Sequence, residues 1–218
     1  TIHPGSTKMY QDLRQRFWWT RMKREIAQYI ANCDVCRRVK AEHQRPAGTL
    51  QPLAIPEWKW DKIGMDFITG FPRTKRGNNA IFVVVDRLSK VAHFLPVRES
   101  ITASQLADLY ISRIVSLHGV PLEINSDRGS LFTSRFWESF QNAMGTRLSF
   151  STAFHPQSSG QVERVNQILE DMLRASVISF GMDWEKCLPF AEFAYNNSYQ
   201  ASLGKAPFEV LYGRKCRT

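Results

Sequence analysis

The sequence predicts an α/β layer sandwich, a mixed sheet covered by helices, and three observations carry that prediction. Three strand-like runs, KIGMDFITGF, AIFVVVD and KVAHFLPV, follow one another, the last two separated only by a turn at Asp86 to Ser89; this is the pattern of an antiparallel meander. Beyond them, helix-like and strand-like segments alternate, which is how parallel strands with helices on the sheet faces are built. The chain has 218 residues and 43% hydrophobic content, enough for one full core plus a small extra module.

The elements come in order along the chain. Residues 1–41 carry two short helical patterns, TKMYQDLRQRF and RMKREIAQYIANC, the second with Met22, Ile26 and Ile30 at four-residue steps. Residues 42–57, EHQRPAGTLQPLAIPE, contain three prolines and a glycine without periodicity and read as a linker. The larger domain, residues 58–218, opens with the meander. Its first helix, ITASQLADLYISRIVSLHG, sets Leu106, Leu109, Tyr110, Ile114 and Leu117 on one side and ends at Gly119. A strand (PLEINSD), a helix (SRFWESFQNAMG) and a fifth strand (TRLSFSTAF) come next. In HPQSSGQVERVNQILED and the residues after it, Val162, Val165, Leu169, Met172 and Leu173 make an apolar stripe. Ser158 or Ser159 is the expected cap of that helix, and Glu163, Asn166, Gln167, Glu170 and Arg174 form its polar flank. The last long helix, WEKCLPFAEFAY, holds Cys187 as a small core residue.

A net charge of +9 and a pI near 9.6 favour a polyanionic partner, most simply nucleic acid, over a neutral small substrate. The residues before Trp58 carry 10 Lys/Arg against 5 Asp/Glu and the rest 19 against 15, so positive charge is denser in the smaller part. No apolar run approaches the roughly 18 residues of a membrane span, and the first residues lack a signal peptide's apolar core. Four cysteines in a chain of this size do not suggest a disulfide framework, and they imply a reducing compartment. The chain begins at Thr1 without methionine, as expected of a piece of a longer protein.

Three acids stand out by context. Asp66 lies in mid-strand among Ile63, Met65, Phe67 and Ile68, where a carboxylate is costly to bury unless paired or metal-bound. Asp127 closes the strand PLEINSD, and Glu163 sits in the first turns of a helix after a loop. Sixty residues separate Asp66 from Asp127, and 35 separate Asp127 from Glu163. Converging at one sheet edge, the three would repel one another without a cation, and magnesium prefers such oxygen ligands. Two such ions suit an in-line phosphoryl displacement. Other acids read differently: Asp86 heads a turn, where Asp bonds local backbone, and Asp61, Asp108 and Glu123 have no comparable context. His155, before a proline in the loop, either touches DNA or packs the loop.

The blocks IGMDFITGFP, INSDRGSLFTSRFW and HPQSSGQVERVNQILE resemble the D, D and 35-spaced E signature of retroviral and retrotransposon integrases. The wording of FHPQSSGQVERVNQ and VVVDRLSKVAHFLPV is most similar to Ty3/gypsy-type retrotransposon integrases. That resemblance implies an RNase H-like five-stranded sheet flanked by helices, with Asp66, Asp127 and Glu163 as catalytic acids. It implies two Mg2+ (or Mn2+) ions per active site when DNA is bound, Asp66 bridging both and the other acids holding one each. The implied activity is 3′ processing of element DNA ends and their joining to target DNA in the nucleus. Two ends joined to one target imply a homo-oligomer, dimer or tetramer. A non-catalytic DNA-binding scaffold derived from an integrase is the alternative, and an RNase H-like nuclease a third.

Residues 1–41 resemble the family's helical zinc-binding domain, which uses two histidines and CxxC. His3 matches the second histidine, and Cys33 and Cys36 follow it after 29 residues. A structural zinc takes four ligands, and no histidine precedes His3 here. The first ligand is therefore expected upstream of Thr1, with water or His43 as the alternative. A CxxC also serves as a redox pair or as two helix-end cysteines. APFEVLYGRKCRT resembles the close of the catalytic core, without the small β-rich domain that comes after it in integrases.

Overall fold

The strand-like runs form one five-stranded sheet in the order β3-β2-β1-β4-β5. It is seen in a computed structural model that describes residues 3–39, 55–150 and 160–217. His43, His155, Ser158, Ser159, residues 42–54 of the expected linker and the end of TRLSFSTAF lie outside the described residues. The strands are β1 (Lys62–Ile68), β2 (Ala80–Asp86), β3 (Ala92–Val97), β4 (Glu123–Ser126) and β5 (Arg147–Phe150). β1, β2 and β3 pair antiparallel as the expected meander, whereas β4 is parallel to β1 and β5 parallel to β4. β2 is buried along its whole length, as suits its run of β-branched and aromatic residues between two neighbours.

The helices are α1 (Ser6–Leu13), α2 (Met22–Ala31), α3 (Asp34–Val39), α4 (Ala103–Tyr110), α5 (Ser116–His118), α6 (Arg135–Ala143), α7 (Gly160–Phe180), α8 (Trp184–Asn196) and α9 (Pro207–Tyr212). Among the described residues none is long and apolar enough to cross a membrane. α4 starts in a capping box between Thr102 and Gln105. α3, which starts inside the CxxC just after Cys33 and carries Cys36, is an element the periodicity did not reveal, being too short for a repeat. The helix expected to run through to Gly119 is interrupted by a π-helical segment, Ile111–Val115. An inserted residue of this kind rotates the remainder of the helix by about 100°. Leu106, Tyr110 and Ile114 are buried as expected, but Leu117 is 63% exposed, and the expected stripe breaks there.

The described residues fall into two compact units: the sheet with its helices up to Asn166, and the N-terminal helices together with the chain from Gln167 onward. In the sheet unit, Ile63, Met65, Phe82, Tyr110, Ile124, Phe132 and Trp137 are fully buried. In α7, Val162, Val165, Leu169 and Leu173 of the expected stripe are buried, and Cys187 is buried in α8. The start of the sheet is fixed by a contact the sequence did not disclose. Trp60 stacks on His118 at 3.6 Å between centroids and 4° between planes. His118 Nε2 in turn lies 2.8 Å from His93 Nε2. Burial first, then the neighbouring His93, push His118 down to about 4.

Candidate active site and zinc centre

Asp66 and Asp127 come together through sheet register. β1 and β4 are adjacent and parallel with Met65 opposite Ser126, so the next residue of each chain, Asp66 and Asp127, lies level across a strand spacing of about 4.8 Å. Asp127 is steadied by the Gly129 N–H, which donates to its Oδ1 at 3.0 Å.

Glu163 approaches from the first turns of α7, near enough for its charge to act on Asp66, and three contacts set where that helix begins. Gly64 and Asp66 point to the same face of β1, and a Cβ on Gly64 would stand 2.3 Å from Val162 Cγ2, so only glycine lets α7 lie this close. Gln161 Nε2 donates to the carbonyl oxygens of Asp86 and Arg87 at 3.5 and 3.4 Å. Asn166 Nδ2 donates to Asp66 Oδ2 at 2.8 Å, one turn along the helix from Glu163. Gly64, Gln161 and Asn166 escaped the sequence analysis as site residues. Of these, only Asn166 had a visible signal, its place on the same polar flank as Glu163.

The electrostatics match this convergence. Burial raises the pKa of Asp66, and the negative charges of Asp127 and Glu163 raise it further, against hydrogen bonds from the Phe67 N–H and Asn166. Among the described residues no cation pairs with any of the three. Glu123 at the other end of β4 is the contrast: burial would raise it, yet Arg147 and Lys62 hold it below its ordinary value. Asp86 is also fully buried but is satisfied locally, accepting from Trp60 N at 3.0 Å, Ser89 N at 2.9 Å and the Ser89 hydroxyl. A half-buried carboxylate raised by two exposed carboxylates beside it is a donor set for a hard divalent cation.

In the N-terminal helices, His3, Cys33 and Cys36 offer ligand atoms that all lie within 4.8 Å of one another. His3 Nδ1 is 3.3 Å from Cys33 Sγ and 3.5 Å from Cys36 Sγ, while its Nε2 faces Ser179 Oγ at 3.2 Å. The Cys36 backbone N–H foremost, against the small effect of burial, holds the Cys33 thiol below its ordinary value, toward the thiolate that binds metal. Two thiols and one imidazole nitrogen at this separation fit a tetrahedral zinc, with one position left for a fourth ligand.

For a mixed five-stranded sheet with one acid within β1, one just after β4 and one in the first turns of α7, comparison with known proteins names the family. Residues 1–42 match the integrase zinc binding domain and residues 57–156 the integrase core domain. The chain belongs to the integrase family, on its Ty3/gypsy-type retrotransposon side. It is 36% identical over 211 residues, 97% of its length, to the Transposon Tf2-3 and Tf2-4 polyproteins of Schizosaccharomyces pombe. It spans 16% of the length of those relatives. Among solved structures, it is similar to a chain of the simian T-cell lymphotropic virus intasome in complex with PP2A regulatory subunit B56 gamma. There the TM-score is 0.63 at 20% identity, covering 99% of this chain and 73% of that one. The HTLV-2 integrase catalytic core domain in complex with magnesium gives a TM-score of 0.57 at 20% identity, covering 69% of this chain and 95% of that one. At this identity the likeness is one of fold.

Proposed function

We propose that the chain is the catalytic part of a DNA polynucleotidyl transferase that processes the 3′ ends of element DNA and joins them to target DNA. The observation that carries the reading is the raised carboxyl of Asp66, pushed up by burial and by the charges of Asp127 and Glu163 with no cation beside it among the described residues. Asp66, Asp127 and Glu163 would hold two Mg2+ or Mn2+ ions when DNA is bound. Those ions supply activation of the attacking oxygen and charge stabilisation at the leaving oxygen. Asn166 keeps the Asp66 carboxylate turned toward its neighbours, and Gly64 lets α7 bring Glu163 down to them.

In the first reaction, water attacks a phosphorus near the element end, the P–O bond to the 3′ oxygen breaks, and that oxygen leaves as a 3′-hydroxyl. In the second, this hydroxyl attacks a target phosphorus in line, a new P–O bond forms, and the target's own 3′ oxygen leaves. No covalent bond to the protein is needed. Exposed lysines and arginines bind phosphates largely without reading sequence. Joining two ends to one target requires two sets of acids, hence a homo-oligomer, and chromosomal DNA as target puts the protein in the nucleus. The test is a strand-transfer assay with short duplexes ending in the element's termini, in magnesium, comparing the parent with Asp66→Asn. Joined product from the parent and none from the variant is expected; equal product from both would remove the acid site from the reaction.

A further inference from the structure

The turn between α1 and α2 exposes two consecutive aromatic side chains: Phe17 is 58% and Trp18 85% exposed. The third aromatic of the run, Trp19, is anchored, its Nε1 donating to Glu25 at 2.7 Å. The turn is therefore tied down while two rings stand out from it. Aromatic surface left in water in this way marks a contact site. Its surroundings are cationic. Arg14, Arg16, Arg21, Lys23 and Arg24 are all exposed, and no acidic residue occurs between Leu13 and Arg24. Two of these charges, from opposite arms of the hairpin, gather at one ring: the Arg14 guanidinium lies 5.9 Å and the Lys23 ammonium 5.2 Å from the centroid of Tyr10. The ring offsets part of their repulsion, and an anion between them would offset more.

We propose that this hairpin tip binds unpaired nucleotides of a nucleic-acid strand, stacking bases on Trp18 and Phe17 while Arg14, Lys23 and their neighbours hold the phosphates. Stacking needs a free base face, and paired bases inside a duplex have both faces covered, so the surface selects single strands and overhangs over blunt duplex. Any base offers such a face, so no sequence preference is expected. The inference rests on nucleic acid being the chain's partner, and assigns the unpaired strand to this turn. Processing of 3′ ends as proposed above would leave nucleotides of this kind on the complementary strand.

The test measures affinity by fluorescence anisotropy for a labelled oligothymidine and for a blunt duplex of equal length, using the zinc-loaded chain. Phe17→Ala/Trp18→Ala should lose about 10-fold or more for the single strand and stay within about twofold for the duplex, whereas Trp18→Phe should keep most of the affinity. Arg14→Ala and Lys23→Ala should weaken both forms and each lower the slope of log affinity against log salt by about 1. Circular dichroism and zinc content equal to the parent's establish that the variants are folded. Single-strand affinity unchanged in the double variant, or equal losses on both DNA forms, would overturn the proposal. So would a change in sedimentation with DNA affinity intact, which would assign the rings to a second copy of the chain. Selective loss on the single strand in a chain without strand transfer would uphold this surface and reject the enzymatic reading; binding to neither form would reject both.

Discussion

The acid group and the thiol-imidazole cluster each draw on three ligand residues, of which only His3, Cys33 and Cys36 have all their ligand atoms within 4.8 Å of one another among the described residues, and different amounts of structure hold the two. Asp66 and Asp127 are fixed by the register of two adjacent strands, and Glu163 by a helix seated on Gly64. Behind them stand Ile63, Met65, Ile124 and the fully buried β2. His3, Cys33 and Cys36 hang on short helices: α1 buries no residue, α2 buries Met22 and Ile26, and α3 buries Cys36 and Val39. His3 itself has φ +47°, a backbone state uncommon outside glycine. A large core can impose a site on repelling charges; a small one needs its ligand to complete it. The acid site is thus a product of the fold, and the zinc site a contributor to it.

Removing zinc should break the symmetry between the two most sharply. With a chelator, backbone amides of α2 and α3 should exchange at least about 10-fold faster while those of β1 and β2 keep their protection, since structural metal binding is folding free energy. Hydrogen exchange read by mass spectrometry checks this. Equal acceleration in the sheet, or none in the helices, would erase the distinction.

Within the sheet unit, the seat of α7 is the sensitive point. Gly64→Ala drives a methyl group into Val162 and should cost about 1–3 kcal/mol in denaturant unfolding, with strand transfer falling alongside. Adding Val162→Ala removes the colliding methyl groups and should recover part of both losses. A Gly64→Ala chain as stable and active as the parent would show that α7 does not need this approach.

A smaller effect concerns the His93–His118 contact. His118 is held near 4 in the fold against an ordinary 6.5, so between those values the unfolded chain binds the extra proton and the folded chain does not. Stability should fall as pH falls from 6.5 toward 4, and be fully present above 6.5. His118→Phe keeps a ring against Trp60 but cannot titrate, so its melting temperature should fall less over that range. An identical pH profile in the variant would assign the slope to other groups.

The strands and most of the helices were legible because their signals are local: β-branched runs, turn residues and three- to four-residue apolar steps. Asp66 stood out as a candidate because a carboxylate within a strand contradicts its surroundings, and Asp127 and Glu163 stood out through their spacing and the motif blocks around them. What stayed hidden depends on contacts between distant positions. Nothing near Gly64 announces Val162, nothing near His93 announces His118, and the π segment that turns Leu117 outward is a one-residue change of phase that an even periodicity conceals. Asn166 lay between: its place on the Glu163 flank was visible, but its bond to Asp66 spans 100 residues.

The most direct measurement is made on Glu163→Gln. The substitution keeps the side chain's size and leaves Val162, Val165, Leu169 and Leu173 in place while removing one of three mutually repelling charges. If Glu163 serves the metal site, strand transfer in magnesium should be abolished, and thermal unfolding in chelator should be unchanged or stabilised by up to about 1 kcal/mol. If it is only a first-turn acid matched to the helix dipole, the same change should cost about 0.3–1 kcal/mol and leave strand transfer largely intact; that second result would contradict the account.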